Sequence, residues 1–327
     1  MFRTGKFYLL ILIAVGVIGA STPAYSQKGW SINRDKGTGD LISVFFTSNS
    51  EGWVAGDDGY LASTNDGGKS WRRKILNTAA NINEIYFRND SNGYLVAGRK
   101  MFVTNDGGTT WRETLIVDPG QFEEGTPEFL SIRFNSKSKG FIIGSVLNSD
   151  EEVIDSLLLR TVDGGKSWSR LLLPEVKTEL FHLDFDGKQE GWIVGDMGVI
   201  LATKDNGNTW NKQSSGTDSG LYNVDFRNNK RGYAVGERGT VLRTEDGGRN
   251  WIKVETLVQK TLFRVNFVDD KNGWIVGSEG TIMRTFDRGR TWVQQSSSTK
   301  SNLYGLYMEK KYGWSVGKSG IIIRYDR

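Results

Sequence analysis

An eight-residue pattern, Thr-x-Asp-x-Gly-x-(Ser/Thr/Asn)-Trp, constrains this chain more than any other feature, because it occurs six times. The copies run Thr64–Trp71, Thr104–Trp111, Thr161–Trp168, Thr203–Trp210, Thr244–Trp251 and Thr285–Trp292. Most of the closing tryptophans lie about 41 residues apart, and a fixed period of that size marks an array of one supersecondary unit. Each copy reads as a tight hairpin turn. The Asp carboxylate accepts backbone N–H groups, Gly supplies the positive φ that closes the turn, and the Trp drops its indole into the unit. A buried aromatic of this size removes roughly 150–250 Å² from water, or about 4–6 kcal/mol as an upper bound. The six carboxylates Asp66, Asp106, Asp163, Asp205, Asp246 and Asp287 are therefore expected to be structural.

A Gly-aromatic pair precedes each copy: Gly52-Trp53, Gly93-Tyr94, Gly140-Phe141, Gly191-Trp192, Gly232-Tyr233 and Gly273-Trp274. A seventh, Gly313-Trp314, has no hairpin motif after it, and the chain stops at Arg327 where that unit's turn and fourth strand are due. The missing strand is at the other end. Trp30 lies 11 residues before Leu41, the gap that also separates Trp71 from Ile82 and Trp210 from Leu221. Lys28 to Asn33 is thus expected to form the outer strand of the last unit, and all 11 tryptophans then fall into the two landmark columns. Four short strands per unit, such as Leu221–Phe226, Gly232–Val235, Thr240–Thr244 and Asn250–Val254, predict an all-β, seven-bladed β-propeller of four-stranded antiparallel blades. Completing the last blade with the N-terminal strand removes the exposed edges of an open array.

The recurrent Gly-Trp-x-Val-Gly, as in Gly191-Trp192-Ile193-Val194-Gly195, precedes Gly-x-Ile/Val-Leu-x-Thr-x-Asp-x-Gly-x-Thr-Trp. Together they resemble the photosystem II stability/assembly factor family over Lys28 to Arg327. The hairpin motif by itself is the Asp-box, or BNR repeat, shared with bacterial sialidases and other propellers. The resemblance implies a non-enzymatic periplasmic or lumenal propeller that binds a membrane protein during assembly. Members in phototrophs are lipid-anchored or lumenal. The anchor cysteine is absent here, and relatives also occur in bacteria without photosystems, which leaves the partner open.

Residues 1–26 read as a secretory signal, with Arg3 and Lys6 as the basic flank, Phe7 to Ala20 as the apolar stretch and Ala24-Tyr25-Ser26 as a small-x-small cleavage site. Cleavage near Ser26/Gln27 predicts an exported, periplasmic or secreted protein in which residues 27–327 form the propeller. The alternative is an uncleaved N-terminal anchor. With no Cys, disulfides and thiol catalysis are excluded. The formal charge of +4 falls to near +2 once Arg3 and Lys6 leave (4 − 2), too balanced for a nucleic-acid partner. No cofactor is called for, and a single His excludes multi-His metal sites.

Candidate binding residues come from aligning the units on Val44, Ile85, Ile132, Leu183, Val224, Val265 and Leu306. The column before these holds Glu84, His182, Asn223 and Arg264; the column after holds Arg133, Asp184 and Asp225. Both columns are polar or variable where the others are apolar, which assigns these seven residues to the mouth of a central channel. Two insertions in blade three, Asp118–Glu128 and Ser145–Asp155, fall on the face opposite the Asp-box turns. They are expected either as an acidic functional rim or as plain surface loops, and the acidic order lacks the Asp-x-Asp-x-Asp-Gly spacing of a calcium loop. Arg160, Arg243, Arg284 and Arg324 share one column, either to grip an acidic partner or to pair with local carboxylates such as Glu237 and Glu279.

The leading functional reading is a non-catalytic binding propeller that assists assembly or stability of an envelope or membrane protein, acting as a monomer. A sialidase-like glycoside hydrolase is the enzymatic alternative, since Asp184 and Asp225 stand in one column and paired carboxylates are what that chemistry needs. The chain has no Arg-Ile-Pro, which sialidases usually show, and only Arg133 and Arg264 in the channel columns. The third reading is a glycan-binding adhesion module, for which Phe122, Phe129, Tyr222 and Tyr304 are the available aromatics.

Overall fold

A computed structural model of the protein describes residues 29–34, 39–114, 122, 125–174 and 176–327. The expected signal at 1–26 and most of the first blade-three insertion lie outside the described residues. The remainder forms seven four-stranded antiparallel sheets, so the propeller expectation holds. Six blades are built from four strands that follow one another in sequence, and the seventh takes Gly29–Arg34 as its outermost strand beside Ile322–Asp326. Trp30 lies opposite Tyr325 in that pairing, with ring centroids 5.4 Å apart. The representative strand bounds are Leu221–Phe226, Gly232–Gly236, Val241–Thr244 and Ile252–Lys253. The fourth strand is shorter than expected and begins after the Trp, which caps the Asp-box turn rather than joining the ladder.

Six of the seven interfaces between blades are filled by three aromatic layers; between blades six and seven, Met308 takes the place of the phenylalanine beside Trp274. The last residue of a blade's first strand stacks on the Gly-aromatic partner of the preceding blade: Phe226 on Trp192 at 3.4 Å and 6°, Phe46 on Trp314 at 3.5 Å and 11°, Phe267 on Tyr233 at 3.8 Å and 12°. The same ring meets its own Asp-box Trp edge-on, as Phe226 meets Trp251 at 5.8 Å and 88°. Both are preferred aromatic geometries. In six of the seven Gly-aromatic pairs the glycine leaves room for that ring, a Cβ on Gly232 standing 2.2 Å from Phe226, and Gly313 leaves room for Met308 instead.

In all six Asp-box turns the Asp carboxylate accepts the backbone N–H four residues on. In the first, Thr64 Oγ1 donates to Asp66 Oδ1, the Ser70 N–H donates to the same oxygen, and Ser70 Oγ donates to Asp66 Oδ2. The hydroxyl of Ser70, then its N–H and the Thr64 hydroxyl, hold the Asp66 carboxyl down to about 2. The Gly67 N–H donates to Ser50 O, and Gly107 and Gly247 repeat this with Ser91 and Lys230. Each Asp-box is thereby tied to the hairpin between the first two strands of its blade, on one face of the ring.

Blade three corrects the sequence reading on the opposite face. Ser145–Asp155 is not a loop. Its first, second and third strands are lengthened to Thr126–Phe134, Gly140–Leu147 and Val153–Thr161, with Thr126 opposite Leu147 and Val146 opposite Asp155. Only Asn148–Glu152 remains as a turn. The cause is apolar alternation: Val146 is buried, and Ile154 packs with Phe122 on the same core cluster. Asp155 is drawn into an ion pair with Arg170, while Asp150, Glu151 and Glu152 stay together in the exposed turn. Phe129 is fully buried, not exposed.

Candidate functional site

The first strand of every blade faces the channel and has no strand on its inner side, so its inward N–H groups need other acceptors. Side chains of the preceding blade supply them. Ser43 Oγ accepts the Ile85 N–H at 3.1 Å, Glu84 Oε2 accepts that of Ile132 at 2.8 Å, and Asn223 Oδ1 accepts that of Val265 at 2.9 Å. Two residues along the strand the pattern repeats. Asp184 Oδ2 accepts from Phe226 N at 2.7 Å, Asp225 Oδ2 from Phe267 N at 2.8 Å and Asn266 Oδ1 from Met308 N at 2.9 Å. The two polar columns are thus bridges between blades, and all seven residues selected from sequence line one cavity of about 350 Å³ in the channel.

Within it, Glu84, Arg133 and His182 come together from blades two, three and four. Arg133 Nη1 donates to Glu84 Oε1 at 2.7 Å, and Ser131 Oγ donates to Glu84 Oε2 at 2.6 Å. Burial works to raise the Glu84 carboxyl, but the Arg133 charge, with that of Arg264 behind it, holds it well below the usual carboxylate range. The Arg133 guanidinium lies 2.9 Å from His182 Nε2 and can only donate, which makes Nε2 the acceptor and assigns the ring proton to Nδ1. Burial lowers His182 to about 4, so the ring is neutral at pH 7. The chain of acceptors breaks there, since the Val224 N–H stands 3.5 Å from a protonated Nδ1.

Asp184 and Asp225 form the second charged group. Burial and then the Asp184 charge push Asp225 up to about 7, and burial raises Asp184 as well. A raised carboxyl beside another carboxylate suits acid–base chemistry in principle. Here each already bridges to the next blade, and Asn266 fills the third place in the same series with an amide. The position therefore requires an acceptor, not an ionisable acid. Arg264 differs from its neighbours: its one hydrogen bond among the described residues is a long one, Nη1 to Tyr222 O at 3.4 Å.

Alignment of the columns missed the ring two residues before the alignment position, because its members look like ordinary core residues. At the channel end away from the Asp-boxes, Phe181, Tyr222, Phe263 and Tyr304 form an arc, one from each of four successive blades. Successive centroids are 4.9, 5.7 and 5.2 Å apart. The arc frames a pocket of about 180 Å³ that also reaches Arg264. Tyr222 and Tyr304 were identifiable singly; the period of the repeat was the signal for the other two.

The arginine column lies outside the channel, and its partners differ from those expected. Arg243 Nη1 donates to Glu245 at 2.8 Å, Arg324 Nη2 to Asp326 at 3.0 Å, Arg284 Nη1 to Tyr325 Oη at 3.0 Å and Arg160 Nη1 to Asn208 Oδ1 at 3.2 Å. Glu237 instead accepts from Tyr222, and Glu279 pairs with Lys260. Both lie in the short turns Glu237–Gly239 and Ser278–Gly280 that precede the third strand, whereas the arginines sit near its other end beside the Asp-box.

The family model described as "Photosynthesis system II assembly factor YCF48" matches residues 73–177, 126–215, 210–261 and 249–326. The chain belongs to that YCF48 family. A photosystem II assembly lipoprotein Ycf48 of Synechococcus sp. (strain CC9902) is 34% identical over 86 residues, 25% of this chain and 23% of that protein. The chloroplastic photosystem II stability/assembly factor HCF136 of Arabidopsis thaliana is 32% identical over 105 residues, 30% of this chain and 22% of that protein. The matched stretches thus span less than a quarter of either relative's length. A solved structure titled "YCF48 bound to D1 peptide" superposes with a TM-score of 0.74, covering 94% of this chain and 100% of that one at 22% identity, a likeness of fold. Among the described residues of this YCF48-family chain, no group of three or more His, Asp or Glu is placed to hold a metal ion.

Proposed function

We propose that this chain is an exported, non-enzymatic binding propeller that assists the assembly or stability of a membrane or envelope protein by holding a segment of it. The observation that carries this reading is the family match, which runs from residue 73 to residue 326. The aromatic arc supplies a place for the contact. Four half-buried rings offer apolar area at the channel mouth, and Arg264, scarcely engaged by the protein, offers a cation at its base. A segment with an apolar side chain next to a carboxylate fits that combination. The hydrolase reading is weaker, because both candidate carboxylates are occupied as bridges between blades.

The test is affinity capture with the tagged protein from the detergent-solubilised envelope of its native organism, read by mass spectrometry. If that organism is phototrophic, the D1 subunit named with the solved relative is the first partner to look for. Enrichment of one membrane protein, reduced at least tenfold by an Arg264→Ala/Tyr222→Ala double variant of unchanged Tm, supports both the function and the mouth as its site. Enrichment indifferent to the double variant keeps the function and rejects the site. Retention of no protein, together with release of sugar from surface glycan, overturns the reading in favour of the hydrolase.

A further inference from the structure

On the Asp-box face, each of the four arginines described above sits beside its own blade's second strand and reaches toward its own Asp-box turn or the neighbouring blade. Arg324 lies 5.7 Å from the Trp314 ring and donates to Gly67 O of the next Asp-box at 3.1 Å. Arg284 lies 4.5 Å from the Trp274 ring and donates to Tyr325. The carbonyl equivalent to Gly67 O is met at three other interfaces by other donors, and Gly164 O, between blades two and three, is met by none among the described residues. Asn206 O accepts from Lys139 Nζ at 3.0 Å, Gly247 O from Gln213 Nε2 at 3.1 Å and Arg288 O from Tyr233 Oη at 3.0 Å.

The interface between blades one and two lacks this arrangement. Ser63, directly opposite Trp53 in the ladder, stands where the arginine stands elsewhere. No donor among the described residues reaches Gly107 O, the equivalent carbonyl. A groove of about 390 Å³ occupies the place, with Trp53, Ser63 and Gly107 along it and the carboxylates of Glu51 and Asp90 also lining it. At blade two, where Val103 takes the arginine's position, that side chain packs into the apolar core.

We propose that this groove receives an arginine side chain from a partner polypeptide, which completes from outside the contact that Arg324 makes from within. The repeat itself shows the chemistry. At Arg324 a guanidinium meets an indole face, a turn carbonyl and the Asp326 carboxylate, and the same three kinds of group line this groove. Arg72 and Lys74 also line the groove from the fourth strand and oppose an incoming cation; Glu51 and Asp90 counter them. This site is on the opposite face of the ring from the aromatic arc and does not depend on it.

The test is an NMR titration of the isotope-labelled protein with capped Gly-Arg-Gly, Gly-Ala-Gly and Gly-Glu-Gly peptides, following the Trp53 indole N–H and the Gly107 and Gly108 amides. Saturable shifts with the arginine peptide alone are expected. Ser63→Arg, which fills the groove from the chain's own strand, should abolish them, and Glu51→Gln/Asp90→Asn should weaken binding about two- to fivefold. If Ser63→Arg does not fold, Ser63→Lys takes its place, and the unaltered protein's response to the three peptides is decisive by itself. Shifts with the glutamate peptide would make the groove an anion site of Arg72 and Lys74. That result, the absence of saturation with any peptide, or an arginine response unaffected by the Ser63 variants would overturn the proposal.

Discussion

Asp225 carries two demands at once, accepting the Phe267 N–H and sharing a buried site with Asp184. Its carboxyl is raised to about 7, while the unfolded chain releases the same proton near pH 4. Between those values the folded state binds more protons, so the contribution of this group to stability falls as pH rises. His182, lowered to about 4, has the opposite slope over its own window, because there the unfolded chain binds more protons. Asp225→Asn separates the two, since an amide oxygen serves the same bond at Asn266. The variant is expected to melt a few degrees above the unaltered protein at pH 8 and to match it near pH 4, by calorimetry. An equal difference at both pH values would place the proton elsewhere. The seven positions were legible from the repeat, because polar residues recur in two columns beside an apolar one. Which of them touch was not, since Glu84, Arg133 and His182 are brought together from three blades by the curvature of the ring.

At the scale of the element, the blade is set by a glycine, a phenylalanine and two further aromatics that must occupy their places together. Phe226 is fixed by Trp192 on one side and Trp251 on its edge, so it cannot yield to a methyl group on Gly232 placed 2.2 Å away. Gly232→Ala should therefore cost about 1–3 kcal/mol by overpacking, read as a lowered urea midpoint with unchanged slope. Phe226→Leu in the same chain should recover part of that loss; strictly additive effects would show that the ring is not the obstacle. The Gly-aromatic pairs and Asp-boxes were plain in the sequence because each repeats at one period. The lengthened strands of blade three were not. Asp150, Glu151 and Glu152 signal a loop, whereas Val146 and Ile154 find their apolar partners only in the folded core.

For the whole molecule, stability depends on a strand borrowed across almost the full length of the chain. Gly29–Arg34 pairs with Ile322–Asp326, and its removal leaves Tyr325 without Trp30 and the third strand of blade seven as an open edge. A variant lacking residues 29–34 is expected to melt lower and to self-associate through that edge, seen by scanning calorimetry and size-exclusion chromatography. A synthetic peptide of residues 28–34 added in trans should reverse both effects; an unchanged Tm would show that blade seven is complete without it. The sequence by itself determined the all-β class, the seven blades, the four strands in each and the closing strand, because a period near 41 residues, stretched only around blade three, brings every tryptophan into one of two columns. Only the tertiary structure decided what the polar columns do and which surfaces remain free. Closing a ring places side chains from different repeats against one another, and a linear period does not contain those distances. The bridges along the channel, the aromatic arc above Arg264 and the groove beside Ser63 all arise between blades, where one repeat meets the next.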